Sequence, residues 1–312
     1  MGPDAILELP DAGPTTARCA LWWQQPLQTA ASTDGGAIGR IGRLEASTAS
    51  GAHQLLEGAC AELRRQGCRS VLAPLDGDTW QPYRVLAPGQ DQASAFIGEP
   101  DLPSVWADWL TAAGFGVRAR YLSALCSDLQ RRRPRPSWRG AWRIEPLAEH
   151  PIEDLLEPIR RLIVIGFAGQ PLFRAPELEE FRGLWRPWRD LLDRRFSLLA
   201  FEDGELVGLL LAHGDHPDGA STGGERAVVR TLVVHPGRRW AGLGRLLLET
   251  CHGLAADAGC RGVIHALMHD PGASLTLSRP YAQPLRRYWL MGRSLAGGKI
   301  AADGGEGDFG GA

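Results

Sequence analysis

A strand, a glycine-containing loop and an amphipathic helix follow one another in the second half of this sequence. Apolar residues over 227–234 predict the strand, and leucines that recur at helical spacing from Leu243 to Leu254 predict the helix. The loop between them reads His-Pro-Gly-Arg-Arg-Trp-Ala-Gly-Leu-Gly-Arg. Such a turn presents main-chain N–H groups at the positive end of a helix dipole, and its glycines let a phosphate approach the backbone. The pattern predicts an anion-binding turn, with an ordinary glycine-softened helix start as the alternative.

The elements around this turn predict a mixed α/β fold. A short strand over 142–145 precedes two helical stretches, and the apolar runs 196–201 and 205–212 are joined by Glu-Asp-Gly, a hairpin signature. A strand over 263–268 follows the central helix, and a last helix–strand piece ends near Met291. This order predicts a sheet that is covered by helices on its faces.

Composition narrows the class of protein. The chain has 312 residues, enough for two domains, since single cores rarely exceed roughly 250 residues. The formal net charge of -2 argues against an obligate nucleic-acid-binding protein. No apolar run approaches the ~18 residues of a membrane span, and Met1 to Pro10 do not resemble a leader, so we expect a cytoplasmic protein without a membrane partner. The six cysteines show no CxxC spacing, which predicts reduced thiols and no metal.

The turn and its surroundings closely resemble the Gcn5-related N-acetyltransferase (GNAT) family. The resemblance rests on Thr231-Leu-Val-Val-His-Pro followed by Arg239-x-x-Gly242-x-Gly244, and it spans residues 141–293. It implies a central, mostly antiparallel sheet flanked by helices. It also implies acetyl-CoA, or another short acyl-CoA, as co-substrate for an N-acyltransferase. The acceptor would be a primary amine of a small molecule that attacks the thioester directly, without an acyl-enzyme.

The resemblance implies a set of cofactor-binding residues. In the family, the amides of this loop bind the CoA pyrophosphate. The backbone of the preceding strand pairs with pantetheine, and an amide there can polarise the thioester carbonyl. Trp240 departs from the pattern, because a glycine is common there; we expect a tighter turn or an indole that covers the adenosine side. The residues assigned to CoA are Leu232, Val233, Val234, Arg238, Arg239, Trp240, Ala241, Gly242, Leu243, Gly244 and Arg245.

The catalytic residues are less well indicated. Family members often protonate the thiolate with a tyrosine that directly follows a leucine on the last helix. Ser278 holds that place here, after Leu277, and Tyr281 lies three residues further on. Both are candidates, and the absence of a dedicated acid is the alternative. Glu225, just before the central strand, is a candidate base because several family members keep a glutamate there; His265, His269 and Asp270 are the alternatives.

The first half resembles a degenerate copy of the second. A shift of 192 residues maps 55–57 onto Leu-Leu-Glu at 247–249 and Gly-Cys-Arg at 67–69 onto 259–261 without a gap. An internal duplication explains these matches. The same shift places Ser47, Ser50 and Ala52 where Arg239, Gly242 and Gly244 stand, so the first copy is expected not to bind CoA. The predicted boundaries are a degenerate GNAT-like domain at 1–130, an Arg/Pro-rich linker at 131–138, a GNAT domain at 139–296 and a disordered tail at 297–312.

Some features of the sequence admit more than one interpretation. The loop 76–84 carries Trp80, Tyr83 and Arg84, which are either acceptor contacts or packing residues beneath a loop. A non-catalytic acyl-CoA-binding or sensing protein is the main functional alternative. An aminoacyl-tRNA-dependent transferase with paired domains explains the duplication, but the net charge disfavours it. We expect a small-molecule amine as partner, no nucleic acid, and a monomer or homodimer.

Overall fold

The computed structural model describes residues 2–11, 16–25, 27, 37–90, 95–132, 142–170, 172–215 and 226–296. The predicted linker from residue 133 onward and the predicted tail lie outside these residues. In the described part of the chain the strands are β1 (Ala5–Pro10), β2 (Thr16–Trp22), β3 (Ala37–Glu45), β4 (Cys68–Ala73), β5 (Val85–Leu86), β6 (Gly116–Cys126), β7 (Arg143–Pro146), β8 (Leu198–Glu202), β9 (Glu205–Asp215), β10 (Arg226–Val234), β11 (Gly262–Asp270) and β12 (Gln283–Ser294).

The helices alternate with the strands and are, in the described residues, α1 (Ala49–Arg65), α2 (Val105–Ala112), α3 (Ile152–Phe167), α4 (Leu178–Arg189), α5 (Leu243–Asp257) and α6 (Ala273–Ser278). Short 3₁₀ turns lie at Leu147–Glu149 and Arg238–Trp240. Pro187, which the sequence places in a helical stretch, is inside α4. The α/β fold class is confirmed. Among the described residues, no helix is long and apolar enough to cross a membrane.

The chain divides into two compact units, and each unit is built from segments that are not contiguous in the sequence. Unit 1 consists of Met1–Gln90, Pro100–Arg120 and Tyr288–Ala312, and unit 2 consists of Asp91–Glu99 and Tyr121–Arg287. Unit 1 thus includes the end of β12 from the second half, and unit 2 includes a short segment of the first half. The domain boundaries predicted from the sequence, at residues 130 and 139, separate the two copies of the duplication and not the two compact units. They remain a prediction.

Unit 1 is built on a sheet in the order β1-β2-β3-β4-β12. The pairings are antiparallel except for β3 with β4, which are parallel because α1 connects them as a crossover. The last strand joins this sheet through Met291–Ser294, which pair with 70–73 of β4. Arg293 also forms an ion pair with Glu57 of α1. The core of this unit lies between α1, α2 and the sheet, and includes Leu55, Leu63 and Trp106.

Unit 2 repeats this plan around the loop of interest. Its sheet runs in the order β11-β10-β9-β8-β7, antiparallel except for β10 with β11, which are parallel and connected by α5. Residues of α5 such as Leu243 and Leu247 pack in a buried core with Leu210 of the central strand β9. On the opposite face, Gly166 of α3 lies so close to Val233 that a side chain at residue 166 would collide with it. The predicted order of strands and helices in this half is confirmed.

Candidate functional site

The strands β10 and β11 separate in the middle of the sheet. Their parallel pairing covers only Arg226–Val229 against Gly262–His265, although β10 continues to Val234 and β11 to Asp270. Beyond the last pair, Val229 with His265, main-chain groups on one edge of β10 are not used by β11 among the described residues. The fork therefore offers backbone hydrogen-bonding groups to an extended ligand arm.

A β-bulge in β10 lies directly at this fork. The register with β9 shifts between Val229 and Thr231, so that Arg230 is the inserted residue. A bulge turns the local main chain out of the regular ladder and re-aims its N–H and C=O groups. The guanidinium of Arg230 lies 3.5 Å from the ring centroid of Trp188, and its Nη1 donates to the carbonyl of Gly98 at 3.1 Å. The backbone strand expected to hold pantetheine, residues 232–234, begins just after this irregularity.

The loop after β10 ends at an open helix N-terminus. Gly242 is the N-cap residue of α5, with φ of 94°, in the left-handed region that glycine adopts without strain. No side chain caps this end, and the first main-chain bond of the helix runs from Leu246 to the carbonyl of Gly242. In the described residues, the amides of Gly242, Leu243 and Gly244 make no main-chain hydrogen bond. Free amides at the positive end of a 15-residue helix form a site suited to an anion.

The second glycine of the motif lies against the predicted pantetheine strand. A Cβ built on Gly244 would be 3.6 Å from both Val234 and Leu277 and 4.0 Å from Leu232, which is ordinary contact. The protein itself therefore has room for a methyl group at this position. We interpret Gly244 as leaving space for a ligand at the main chain, since the fold does not require a glycine there.

Glu202, which the sequence pattern does not single out, binds the arginine and the tryptophan of the loop. Nε of Arg239 lies 2.9 Å from Oε2 of Glu202, and the indole Nε1 of Trp240 donates to the same oxygen at 2.9 Å. These bonds, led by that from Arg239, lower the pKa of Glu202. The Trp240 ring also lies 4.0 Å from the imidazole of His235, between centroids. Glu202 belongs to the predicted hairpin turn, but it is 37 residues from Arg239 in the sequence, so the sequence pattern does not predict the contact.

Trp240 is half-buried and lies in a short, tight turn. It ends the 3₁₀ turn Arg238–Trp240, and its amide donates to the carbonyl of Gly237. The indole forms one wall of a pocket of about 690 Å³, together with the hairpin tip at 202–205 and one side of α3. The exposed Arg238 and Arg239 and the half-buried Arg245 add positive charge around the loop. The loop thus combines free amides, cations and an aromatic wall.

Both hydroxyl candidates for the catalytic acid lie in the interior of unit 2. The Tyr281 hydroxyl donates to Oε1 of Glu249 at 2.5 Å, and both side chains are buried. Ser278 is also buried, and its Oγ lies 2.6 Å from Nδ1 of His265. Leu277, the residue before Ser278, contacts the surroundings of Gly244, so the end of α6 adjoins the candidate CoA strand.

The candidate bases are placed differently from one another. Glu225 lies outside the described residues. His265 is buried, and desolvation followed by repulsion from His252 lowers its pKa to about 3, so it is a poor proton acceptor at neutral pH. His269 is half-buried, and its Nδ1 lies 2.8 Å from the carbonyl oxygen of Pro271. In the described residues no group of three or more His, Cys, Asp or Glu side chains is spaced to hold a metal ion.

Comparison with known proteins finds a family match within the second half of the chain. Residues 164–273 match the model of the acetyltransferase (GNAT) family. No curated protein sequence matches the chain. The fold is similar to that of a GCN5-related N-acetyltransferase from Sphaerobacter thermophilus, with a TM-score of 0.53, 13% identity, and coverage of 91% of this chain and 78% of that one.

A second solved structure carries the likeness over both halves. A tandem GNAT protein from the clavulanic acid biosynthesis pathway aligns with a TM-score of 0.51 and 15% identity, over 96% of this chain and 86% of its own. At this identity the likeness shows the fold alone. Residues 164–273 thus match the model of the GNAT acetyltransferase family, and the chain is similar in fold to a tandem GNAT protein.

Proposed function

We propose that the protein transfers an acetyl or other short acyl group from acyl-CoA to a primary amine of a small molecule. One observation carries the proposal: the uncapped N-terminus of α5, with its left-handed Gly242, stands beside the fork between β10 and β11. The family match of residues 164–273 supports acyl transfer from CoA in general. The small-molecule acceptor is our proposal, as are the cytoplasmic location and the monomeric or homodimeric state.

The proposed CoA site uses the loop and the strand in succession. The amides of Gly242 to Gly244 bind the pyrophosphate, and Arg238 and Arg245 supply charge that favours the anion. The exposed main-chain edge of 232–234 pairs with the amides of the pantetheine arm. The nucleotide end lies toward the pocket that Trp240 walls, in keeping with an indole that covers the adenosine side.

The proposed chemistry is direct aminolysis of the thioester. The amine nitrogen forms a bond to the carbonyl carbon, and the carbon–sulfur bond then breaks. The nitrogen loses its second proton to solvent, which leaves CoA thiolate and the amide product. A main-chain N–H at the β10 bulge is suited to stabilise the oxyanion, because it is preorganised by the sheet. A thiol with a pKa of about 8.5 leaves readily as thiolate, so no dedicated acid is required. Glu225 remains the proposed base that takes the proton from the ammonium group.

The buried position of Tyr281 argues against its use as an acid. Its hydroxyl hydrogen already binds Glu249. Transfer of that hydrogen to the thiolate would leave the tyrosinate next to the Glu249 carboxylate in the core. This observation also keeps the non-catalytic acyl-CoA-binding protein as the second candidate function. That protein would use the same loop without turnover.

Release of free CoA distinguishes the two candidates. The full chain is incubated with acetyl-CoA and a panel of primary amines, and thiol release is followed with a chromogenic reagent. We expect release that depends on one class of amine, together with mass-spectrometric detection of the acylated amine. Binding of acetyl-CoA without amine-dependent release over a broad panel would favour the binding protein instead.

A further inference from the structure

A continuous hydrogen-bonded chain of buried groups runs through unit 2, between β6, α5, β11 and α6. The thiol of Cys126 lies 3.5 Å from the carbonyl oxygen of Asp128, and its Sγ lies 4.0 Å from Nδ1 of His252. Nε2 of His252 lies 2.9 Å from Nε2 of His265. Nδ1 of His265 in turn lies 2.6 Å from Oγ of Ser278. The two imidazoles are nearly coplanar, at 5°.

Each group in this chain carries a single hydrogen that can be shared. Burial lowers the pKa of His252 to about 4 and that of His265 to about 3, so both rings are neutral and have one N–H each. Burial raises the pKa of Cys126 to about 11, so the thiol keeps its hydrogen. The direction of the hydrogen bonds is therefore decided by the end of the chain that can only accept.

That end is the main-chain carbonyl of Asp128. Because a carbonyl oxygen has no hydrogen, Cys126 donates to it, and Sγ then receives the Nδ1–H of His252. Neutral His252 therefore accepts at Nε2 from the Nε2–H of His265. Neutral His265 accepts at Nδ1 from the hydroxyl of Ser278. The hydroxyl hydrogen of Ser278 is thus directed at Nδ1 of His265.

The oxygen of Ser278 is left as an acceptor without a donor. No group in the described part of the chain donates to its Oγ, so its lone pairs can accept from a ligand in addition to the bond with His265. His265 is the last residue of β11 that pairs with β10, so this oxygen lies at the fork, and the neighbouring Leu277 reaches Gly244. The pantetheine arm of CoA carries amide N–H groups that can supply the missing hydrogen bond.

We infer that Ser278 accepts a hydrogen bond from a pantetheine N–H of the bound acyl-CoA, with His265 and His252 as positioning residues that aim its lone pairs at the ligand. This inference rests on the proposed function, since it requires acyl-CoA in the fork. It replaces a proton-donating role of Ser278 toward the thiolate. The two roles predict different kinetic consequences.

The first test separates binding from turnover with Ser278→Ala. We expect the Kd for acetyl-CoA, measured by calorimetry, to rise about five- to tenfold, the effect of one hydrogen bond. The value of kcat should change less than twofold, and Ser278→Thr, which keeps the hydroxyl, should restore most of the affinity. A fall in kcat of about 100-fold or more at unchanged Kd is the effect of a lost general acid and would overturn the inference.

The second test reads the hydrogen positions without any assay of activity. Nitrogen-15 spectra of the full chain labelled at histidine should show His265 protonated at Nε2 and His252 protonated at Nδ1. His269→Gln, on the same strand but outside this hydrogen-bonded chain, is the control and should leave both signals in place. Protonation of His265 at Nδ1 would overturn the inference, whether or not the protein turns over acetyl-CoA.

A double-mutant cycle shows whether His265 acts through Ser278. His265→Leu should weaken acetyl-CoA binding in the wild-type background and have no further effect in Ser278→Ala. If His265→Leu does not fold, as judged by circular dichroism, His252→Gln takes its place. Additive losses in Kd would contradict a positioning role. Failure of the proposed function would give a different result. The wild-type protein would bind acetyl-CoA, and Ser278→Ala would raise the Kd, but no amine would cause release of thiol.

Discussion

The helices α1 and α5 hold equivalent places in the two units, yet they begin in opposite ways. At α1, the Thr48 side chain accepts from the amide of Gly51 at 3.0 Å. The carboxylate of Asp11 accepts from the amide of Ser47 at 2.7 Å and from the Thr48 hydroxyl at 2.5 Å. At α5, Gly242 caps the helix without any side-chain bond.

The difference shows that unit 1 supplies its own anion where unit 2 leaves an open site. Both helices follow a strand and lead into a parallel neighbour, so both present the positive end of a dipole at the same point of the fold. In unit 1 the Asp11 carboxylate lies so close to Gly51 that a Cβ there would collide with it. The loss of the glycine motif, seen as Ser47, Ser50 and Ala52, is thus accompanied by a carboxylate that would repel a phosphate.

The largest expected effect comes from adding a carboxylate to the open helix end. Gly242→Asp places negative charge against the pyrophosphate and strains a residue with φ of 94°, so we expect the Kd for acetyl-CoA to rise 100-fold or more. Calorimetric titration measures it. Gly259→Asp is the matched control, because this glycine lies just past the other end of α5, has φ of +80° and has nothing within 4 Å of its Cβ position. Full affinity in a folded Gly242→Asp variant would show that the loop is not the CoA site.

Stoichiometry sharpens the comparison in the wild-type chain. We expect one acetyl-CoA per chain, bound in unit 2, because Asp11 already satisfies the start of α1. Asp11→Ala should not add a second site, since the glycine and arginine of the motif are still missing there. A stoichiometry near two, with half of it surviving Gly242→Asp, would contradict the reading of unit 1 as degenerate.

Acid should distinguish the two helices, because the shift of 192 places Cys60 of α1 where α5 has His252. The pKa values of His252 and His265 are depressed in the folded state, to about 4 and about 3. Below about pH 6.5 the unfolded chain binds protons that the folded chain does not, so stability is full above that pH and falls toward pH 4. Each histidine contributes a loss of about 1.4 kcal/mol per pH unit in this window.

Hydrogen exchange followed by mass spectrometry at pH 7 and pH 5 measures this difference. After correction for the intrinsic exchange rate, we expect peptides from α5 and β11 to lose protection, while those from α1 and β4 change less. Equal loss in both helices would mean that the buried histidines do not set the acid response.

The cap of α1 should contribute stability and no function. Asp11→Ala removes the carboxylate partner of Ser47 and Thr48, and we expect a loss of about 1 kcal/mol in the free energy of unfolding, as for other helix caps. Urea denaturation measures it, with acetyl-CoA affinity unchanged. The control is Asp190→Ala, at a side chain that is 79% exposed and expected to matter by less than about 0.5 kcal/mol. Equal losses in both variants would show that the Asp11 carboxylate does not stabilise the start of α1.

The smallest expected effect concerns the carboxylate that holds the loop arginine. Glu202→Gln releases Arg239 from its ion pair and removes a negative charge near the bound phosphates. We expect acetyl-CoA to bind about two- to fourfold more tightly at low salt, an effect typical of exposed charges that added salt should reduce. Glu205→Gln, on the same hairpin, serves as the comparison and should have a weaker effect. Weaker binding by Glu202→Gln would show instead that Glu202 organises the loop for the ligand.

Local sequence patterns were sufficient for the elements that surround the site. The apolar alternation before residue 234 and the helical leucines from Leu243 predicted β10 and α5, because strand and helix periodicity are properties of neighbouring residues. The glycine of the turn predicted the open N-terminus for the same reason. The loss of that glycine in the first copy predicts that unit 1 does not bind CoA.

Only the tertiary structure decided which distant side chains complete these elements. Asp11 reaches the start of α1 across 36 residues, and Cys126 meets His252 across 126. The closing strand 288–294 contributes to unit 1, although the duplication suggests that it belongs with the second half. Contacts of this kind depend on how folded segments pack, and packing is not encoded in the spacing of neighbouring residues. The sequence by itself therefore determined where a glycine-containing turn enters a helix, and the fold decided that one helix supplies its own anion and the other does not.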